Sequence, residues 1–310
     1  MVLGIGDDTA ILEGKAGQQL LVTTDTLVSG IHFPEDTSPA AIGHKALAVN
    51  LSDIAAMGGK PGWFTLALTL PETDESWLQA FSASLHELAR RYYVSLIGGD
   101  TTRGPLSITV TMIGTAPVGK AVTRNNATPG DVVFVTGSLG DAAMALYCLQ
   151  NDADIDADIM ARLRGSLDKP TPRIDEGMLL RNHAAAMIDI SDGLSADLGH
   201  ILSASSVGAE LLTEQLPLSQ DMLDAASQAG ITADKRLQLA LTGGDDYELC
   251  AVIPETQLGP LQTAWPSSLA PLTRIGKITT GSGLKLYEAD GAPGTTIATG
   301  GYTHFHEKAN

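Results

Sequence analysis

The stretch Ala48-Val49-Asn50-Leu51-Ser52-Asp53-Ile54-Ala55-Ala56-Met57-Gly58-Gly59 decides how the first half of this chain is read. Small and apolar residues predict a packed helix, opened by Ser38 and Pro39 and stopped by the glycines from Gly58 onward. Leu47, Leu51 and Ile54 recur at helical spacing as a core stripe, while Asn50 and Asp53 share the flank beside it. A carboxylate so close to a packed face needs a cation, a basic side chain or a helix terminus, because unpaired burial of a charge is costly.

Toward the N-terminus, Gly4-Ile5-Gly6-Asp7-Asp8-Thr9 puts two acids on a glycine turn. A strand from Gln19 then ends in Thr23, Thr24 and Asp25, with His32 a few residues on. Hydroxyl and carboxylate oxygens are the hard ligands magnesium prefers. Toward the C-terminus, Trp63 to Leu70 alternates as a strand, and a helix from about Asp74 to Arg91 carries Trp77, Phe81, Leu85 and Leu88 on one face. The short strand Val94 to Ile97 runs into a glycine corner bearing Asp100, and Leu106 to Ala116 forms a further strand. Turn-forming residues between Gly119 and Gly130 mark a boundary, giving domains at 1–119 and 130–310.

In the second domain, strand Asp131 to Thr136, loop Gly137 to Asp141 and helix Ala142 to Leu149 follow an order that can bind phosphate. Asp152 to Asp158 imitates a calcium loop but lacks its glycine and closing glutamate, so it reads as a helix start. The strand from Ala186 feeds a turn bearing Asp189 and Asp192, and a helix runs from Ser195 to about Ser205. Leu241 to Leu249 is another acid-bearing glycine corner before the strand Cys250 to Ile253. His304 and His306 near the C-terminus read as structural or incidental.

With 310 residues and 44% hydrophobic content, the chain can bury two ordinary cores. It contains no apolar run of membrane length and no basic-then-apolar leader, so a cytoplasmic protein with no membrane partner is expected. A net charge of −17 without a Lys/Arg stripe excludes a nucleic-acid footprint. Cys148 and Cys250 lie far apart in apolar surroundings, as buried thiols of a reducing compartment do. Each of Asp7, Asp8, Asp25, Asp53, Asp100, Asp189 and Asp192 reads alone as a turn-former or cap. Gathered by the fold, they would repel one another severely without cations, which points to several magnesium ions and polyphosphate chemistry. No Walker A, protein-kinase glycine loop, GxGxxG, GxSxG or HExxH pattern is present.

The motifs GIGDD at 4–8, TTDTLVSGIHF at 23–33, KALAVNLSDIAAMGGKP at 45–61, LIGGDTTRGP at 96–105, DISDGLSADLGHI at 189–201 and GGDDYEL at 243–249 occur in order. Together they resemble the thiamine-monophosphate kinase family, in the larger group with aminoimidazole ribonucleotide synthetase and selenophosphate synthetase. The resemblance implies an α+β, two-domain architecture: an N-terminal sheet-and-helix domain that forms a homodimer, a C-terminal α/β sandwich domain, and an ATP/Mg²⁺ site between them. It implies magnesium ligation by Asp8, Thr23, Thr24, Asp25, Asp53, Asp100, Asp189 and Asp192, with Asp25, Asp53 and Asp192 catalytic. Gly99, Asp100, Arg124 and Ser191 fall where the family contacts ATP, and His32, Asp245 and Tyr302 where it contacts thiamine phosphate. Family members generally carry a short helical segment ahead of GIGDD, which only three residues precede here, and position 245 is Asp where Glu is common.

The implied chemistry follows from charge. A phosphate monoester has its second pKa near ~6, so the acceptor oxygen is already ionised at neutral pH and needs no general base. Magnesium held by carboxylates would screen two polyanions and align them for direct in-line transfer. Selenophosphate synthetase chemistry is disfavoured because no cysteine precedes Cys148. Aminoimidazole ribonucleotide synthetase and a catalytically silent nucleotide-binding protein are the alternatives.

Overall fold

The computed structural model describes residues 1–3, 5, 9–10 and 12–288, and the backbone of 293–297. The chain forms two compact units, one of residues 1–121 with 168–181, the other of 122–167 with 182–310.

The first unit is built on β1 (Gln18–Val28), α1 (Pro39–Ala56), β2 (Lys60–Leu70), α2 (Glu75–Arg91), β3 (Ser95–Arg103) and β4 (Ser107–Pro117). Its four strands lie in the order β1-β4-β2-β3, with β2 and β3 parallel and the other pairs antiparallel. α1 begins where the Ser38 hydroxyl accepts the Ala41 N–H with Pro39 in the first turn, and its Leu47, Leu51 and Ile54 are fully buried. Asp74 caps α2 through the N–H groups of Ser76 and Trp77. The helices meet at Gly43, where an added Cβ would lie 2.2 Å from the Phe81 carbonyl oxygen. α1 packs on β1 and β4, over the strand face that carries Leu21, Leu27, Ile108, Val110 and Met112. On the other face Leu20 and Val22 are 56% and 64% exposed.

The glycine corner expected after Ile97 is absent. β3 continues through Gly98 and Gly99 to Arg103, paired in parallel with β2 across a register shift at Phe64 and Thr65. Gly99 makes this possible, since a Cβ there would lie 1.9 Å from the Leu66 carbonyl oxygen.

The second unit carries β5 (Val132–Thr136), α3 (Asp141–Gln150) and α4 (Ala157–Asp168), while α5 (Ile174–Leu180) follows in sequence. Then come β6 (Ala186–Asp189), α6 (Leu194–Ser205), β7 (Gly208–Leu212), α7 (Gln220–Gln228), α8 (Ala233–Thr242), β8 (Leu249–Ile253), α9 (Leu258–Ala264), β9 (Leu272–Thr279), β10 (Gly283–Tyr287) and β11 (Pro293–Ile297). The sheet order is β11-β10-β7-β9-β5-β8-β6, antiparallel except for β7 with β10. A core of aliphatic residues from Val133 to Leu286 fills this unit. The α+β, two-domain reading therefore holds. α5, though drawn from the 130–310 stretch, packs with the first unit: Gly177 sits on the Ala55 carbonyl, Arg181 donates to the Gly58 carbonyl, and Tyr92 donates to that of Pro172.

Two local readings are settled by hydrogen bonds. The Gly140 N–H at the start of α3 donates to the Asp246 carboxylate, and Asp141 accepts from Ser138 and Ser219. The phosphate-loop order is thus occupied by the protein's own acids. Asp156 accepts the N–H groups of Asp158 and Ile159, as a helix start does.

Candidate active site

In the first unit the site residues follow strand alternation. Thr23 and Asp25 sit on the β1 face that α1 covers, and the Thr23 hydroxyl donates to Asp53 Oδ2. All three side chains are half-buried, and one turn before Asp53 the fully buried Asn50 has an Oδ1 with no hydrogen-bond partner among the described residues. The Thr24 hydroxyl lies on the opposite face, bonded to Thr111 at 2.9 Å, because adjacent strand residues point to opposite sides. Its side chain does not join Thr23 and Asp25. Asp100 is exposed and shares a register row with Ala67, Thr109 and Thr26. That row belongs to the open face, and β3 is the far edge, about 14 Å from β1 at ordinary strand spacing. Within one copy of this unit, Asp100 and Gly99 therefore stand apart from Thr23, Asp25 and Asp53.

His32 closes the turn after β1. Its Nδ1 accepts the Val28 N–H at 3.0 Å, which fixes a neutral imidazole with the proton on Nε2. The fully buried Lys45 of α1 donates to the His32 carbonyl at 3.1 Å. This support has no sequence signature, because a lysine inside an apolar helix matches no motif.

In the second unit two loops are zipped together beyond β6 and β8. Ile190 N–H donates to the Glu248 carbonyl, Tyr247 N–H to that of Ile190, and Asp245 N–H to that of Ser191. This sets Asp189, Ser191, Asp192 and Asp245 around one loop pair. Asp245 has φ +70, and the Tyr247 hydroxyl donates to its carboxylate at 3.2 Å. Gly193 and Gly244 allow the approach: a Cβ on either would lie within 2.8 Å of the facing backbone. Arg124 is exposed, and its carbonyl accepts from Ser205 at the end of α6. Asp8 and Tyr302, together with Asp7, His304 and His306, lie outside the described residues.

Sequence reading missed Asp197, which is 3% exposed and accepts the N–H groups of Ser191 and Asp192, each at 3.0 Å. Burial, and next the charge of Asp189, pushes its carboxyl up to about 7 against those hydrogen bonds. It also missed Glu248, buried with its carboxylate accepting from Thr136 at 2.6 Å. The signal for Asp197 was its place in the first turn of a helix following a motif, a pattern shared with many plain caps.

Among the described residues, no three His, Cys, Asp or Glu side chains converge closely enough to hold a metal ion alone. The donor set is nonetheless of the kind that suits magnesium: carboxylates and hydroxyls, with one orphaned amide oxygen and no soft ligand. Also among the described residues, no helix is long and apolar enough to cross a membrane.

Residues 6–116 match the model for the AIR synthase related protein, N-terminal domain, and residues 128–287 match that for the C-terminal domain. Both halves thus define a protein of the AIR synthase related class. Thiamine-monophosphate kinase of Escherichia coli (strain K12) is 48% identical over 307 residues, covering 98% of this chain and 92% of its own. The crystal structure of thiamine-monophosphate kinase from Stenotrophomonas maltophilia K279a superposes with a TM-score of 0.85 at 46% identity, covering 93% of this chain and 90% of the other. A structure described as AaThiL complexed with AMPPCP and TMP gives 0.83 at 34% identity, covering 97% and 92%. The chain belongs to the thiamine-monophosphate kinase family and is a kinase.

Proposed function

We propose that this chain transfers the γ-phosphoryl group of ATP to thiamine phosphate in one in-line step, giving thiamine diphosphate and ADP. The observation that carries the reading is the joining of Thr23 to Asp53 across β1 and α1, which turns two separate family motifs into one oxygen-donor group. It is supported by the relative that binds an ATP analogue and TMP.

Thr23, Asp25 and Asp53 would hold magnesium in the first unit, and Asp189 and Asp192 in the second, with Asp8 and Asp100 in the proposed set. Several magnesium ions, when bound, neutralise the charge that keeps two polyanions apart. The chain's own residues then bind and orient. His32 presents an Nε2–H, which suits an anionic phosphate oxygen, and Arg124 offers a planar pair of donors to ATP. Gly99, Asp100 and Ser191 complete the ATP contacts, and Asp245 and Tyr302 those to thiamine phosphate. An acceptor oxygen of thiamine phosphate attacks the γ-phosphorus as the bond to the β,γ-bridging oxygen breaks, and ADP carries the electron pair away. No proton has to be removed, so the step requires no histidine or cysteine base.

A cytoplasmic homodimer is part of this reading. The open face of the first unit's sheet, with Leu20 and Val22 exposed beside half-buried Trp63 and Ile113, supports a second copy as its cover. The buried free thiols Cys148 and Cys250 suit a reducing compartment.

The test is to incubate the protein with ATP, Mg²⁺ and a panel of phosphate monoesters and to assay for thiamine diphosphate. Asp53→Asn should lower kcat by about 10³-fold or more with the circular dichroism unchanged. Product from another acceptor alone would overturn the substrate assignment, and near-wild-type turnover of Asp53→Asn at saturating magnesium would overturn the multi-ion role.

A further inference from the structure

Asp197 stands apart from the proposed ligands, yet it touches the loop that carries them. We propose that Asp197 is the positioning residue of that loop: its buried Oδ2 holds the backbone N–H groups of both Ser191 and Asp192 and so aims their side chains. This rests on the reading above, in which Ser191 meets ATP and Asp192 a cation.

The fold leaves this task to a side chain from within α6. Gly193 occupies the N-cap and supplies no side-chain acceptor, and a Cβ there would lie 2.8 Å from the Thr242 carbonyl carbon. Residues 191 and 192 thus precede a cap that cannot hold them. Side chains on a helix lean toward its N-terminus, so the fourth residue of α6 reaches back over Gly193 to the loop outside. An ordinary cap satisfies the helix's own first N–H groups. Asp197 instead takes two N–H groups from beyond the helix, both at 3.0 Å, while its own N–H and that of Ala196 are met by the Gly193 carbonyl. The acceptor is only 3% exposed, so water does not compete for these two bonds. The other side of the loop is braced by the bond from Asp245 N–H to the Ser191 carbonyl. A shift of residues 191–192 is therefore passed to Asp245, the proposed contact to the acceptor.

The experiment measures AMPPCP binding with Mg²⁺ by calorimetry, and kcat and KM for ATP and for thiamine phosphate, on the full chain. Asp197→Ala should weaken AMPPCP about tenfold or more and raise both KM values, since two buried N–H groups lose their acceptor. Asp197→Asn keeps an oxygen that accepts the same two bonds and should stay within about threefold of wild type. An alanine variant with wild-type AMPPCP affinity and KM values, or one altered only in melting temperature, overturns the proposal. So does an asparagine variant as impaired as alanine, which would place the effect in the charge. If Asp197→Ala does not fold, Asp197→Glu decides: one added methylene displaces the loop, and unchanged affinity and KM would overturn the positioning role. A wild-type chain that binds AMPPCP but transfers nothing to thiamine phosphate defeats the acceptor reading alone, and the binding comparison then still decides Asp197.

Discussion

Asp246 lies between the two loops of the second unit with both carboxylate oxygens on the Gly140 N–H, at 2.9 and 3.1 Å. Burial raises its carboxyl well above the ordinary 3.8, partly offset by that hydrogen bond and reinforced by the charges of Asp141, Glu248 and Asp245. An aspartate whose folded-state pKa lies above its unfolded value binds more protons folded than unfolded between the two. Its contribution to stability is thus lost as pH rises from about 3.8 through the folded value, and it is neutral below that window. Asp246→Asn keeps an acceptor for Gly140 and removes the charge, so it should raise the melting temperature at pH 7.5 by at least about 2 °C. The gain should shrink on acidification toward pH about 4. A variant less stable at pH 7.5, or a gain that grows with acid, would show that the charge is compensated in a way this geometry lacks. Residue identity was legible here only in part. Acids on glycine turns announced a charged site, but Asp245, Asp246 and Glu248 stand in a row and only the fold separates them. Asp246 seals a helix end, Glu248 is buried on Thr136, and Asp245 faces the Ser191 loop.

At the scale of elements, the glycines decide what can touch. Gly177 of α5 rests on the Ala55 carbonyl of α1, where an added Cβ would lie 2.2 Å from that oxygen. Two effects oppose each other in Gly177→Ala: helix propensity favours alanine by about 1 kcal/mol, and overpacking against backbone costs about 1–3 kcal/mol or more. Backbone has little room to give, so the clash should win, with a net loss of about 1–2 kcal/mol in urea unfolding. A more stable variant would mean that α5 does not bear on α1. This contact also shows why the packing of α5 cannot be read from its place in the sequence. The Gly119 to Gly130 turn announces a boundary by composition, whereas the return of 168–181 to the first unit is carried by a glycine and an arginine with no compositional mark. α1 and α2 were legible because apolar periodicity and caps agree in both. β3 was not read to its end, because Gly98-Gly99 reads as a corner, and only the parallel partner β2 shows that glycine is needed for close approach. In Thr23-Thr24-Asp25 the period of two that sends the Thr24 side chain to the other face matters only once the strand has two distinct faces.

For the whole molecule, the open sheet face of the first unit links assembly to the site. Val22 of β1 is exposed in a row with Ile113 of β4 and Trp63 of β2, Leu20 is exposed two residues away on the same face, and Thr24 and Thr26 pair with Thr111 and Thr109 further along. An edge strand with exposed apolar residues is a liability that charges usually blunt, and β1 carries its one acid, Asp25, on the opposite face. The same open face bears Asp100, on a strand about three strand spacings from β1 within one copy. If a second copy covers this face, as proposed, then assembly and the surroundings of Asp100 change together. Val22→Lys places a charge in the middle of the apolar row without touching Thr23, Asp25 or Asp53. It should convert a dimer to a monomer in sedimentation equilibrium at micromolar concentration, since burying an unpaired ammonium costs several kcal/mol. The monomer should retain its melting behaviour within about 0.5 kcal/mol, as surface substitutions generally do, because Val22 packs on nothing beneath it in a single copy. A wild-type chain that sediments as a monomer, or a lysine variant that remains dimeric, would show that this face is solvent-exposed in the working protein and that Asp100 acts from where one copy places it.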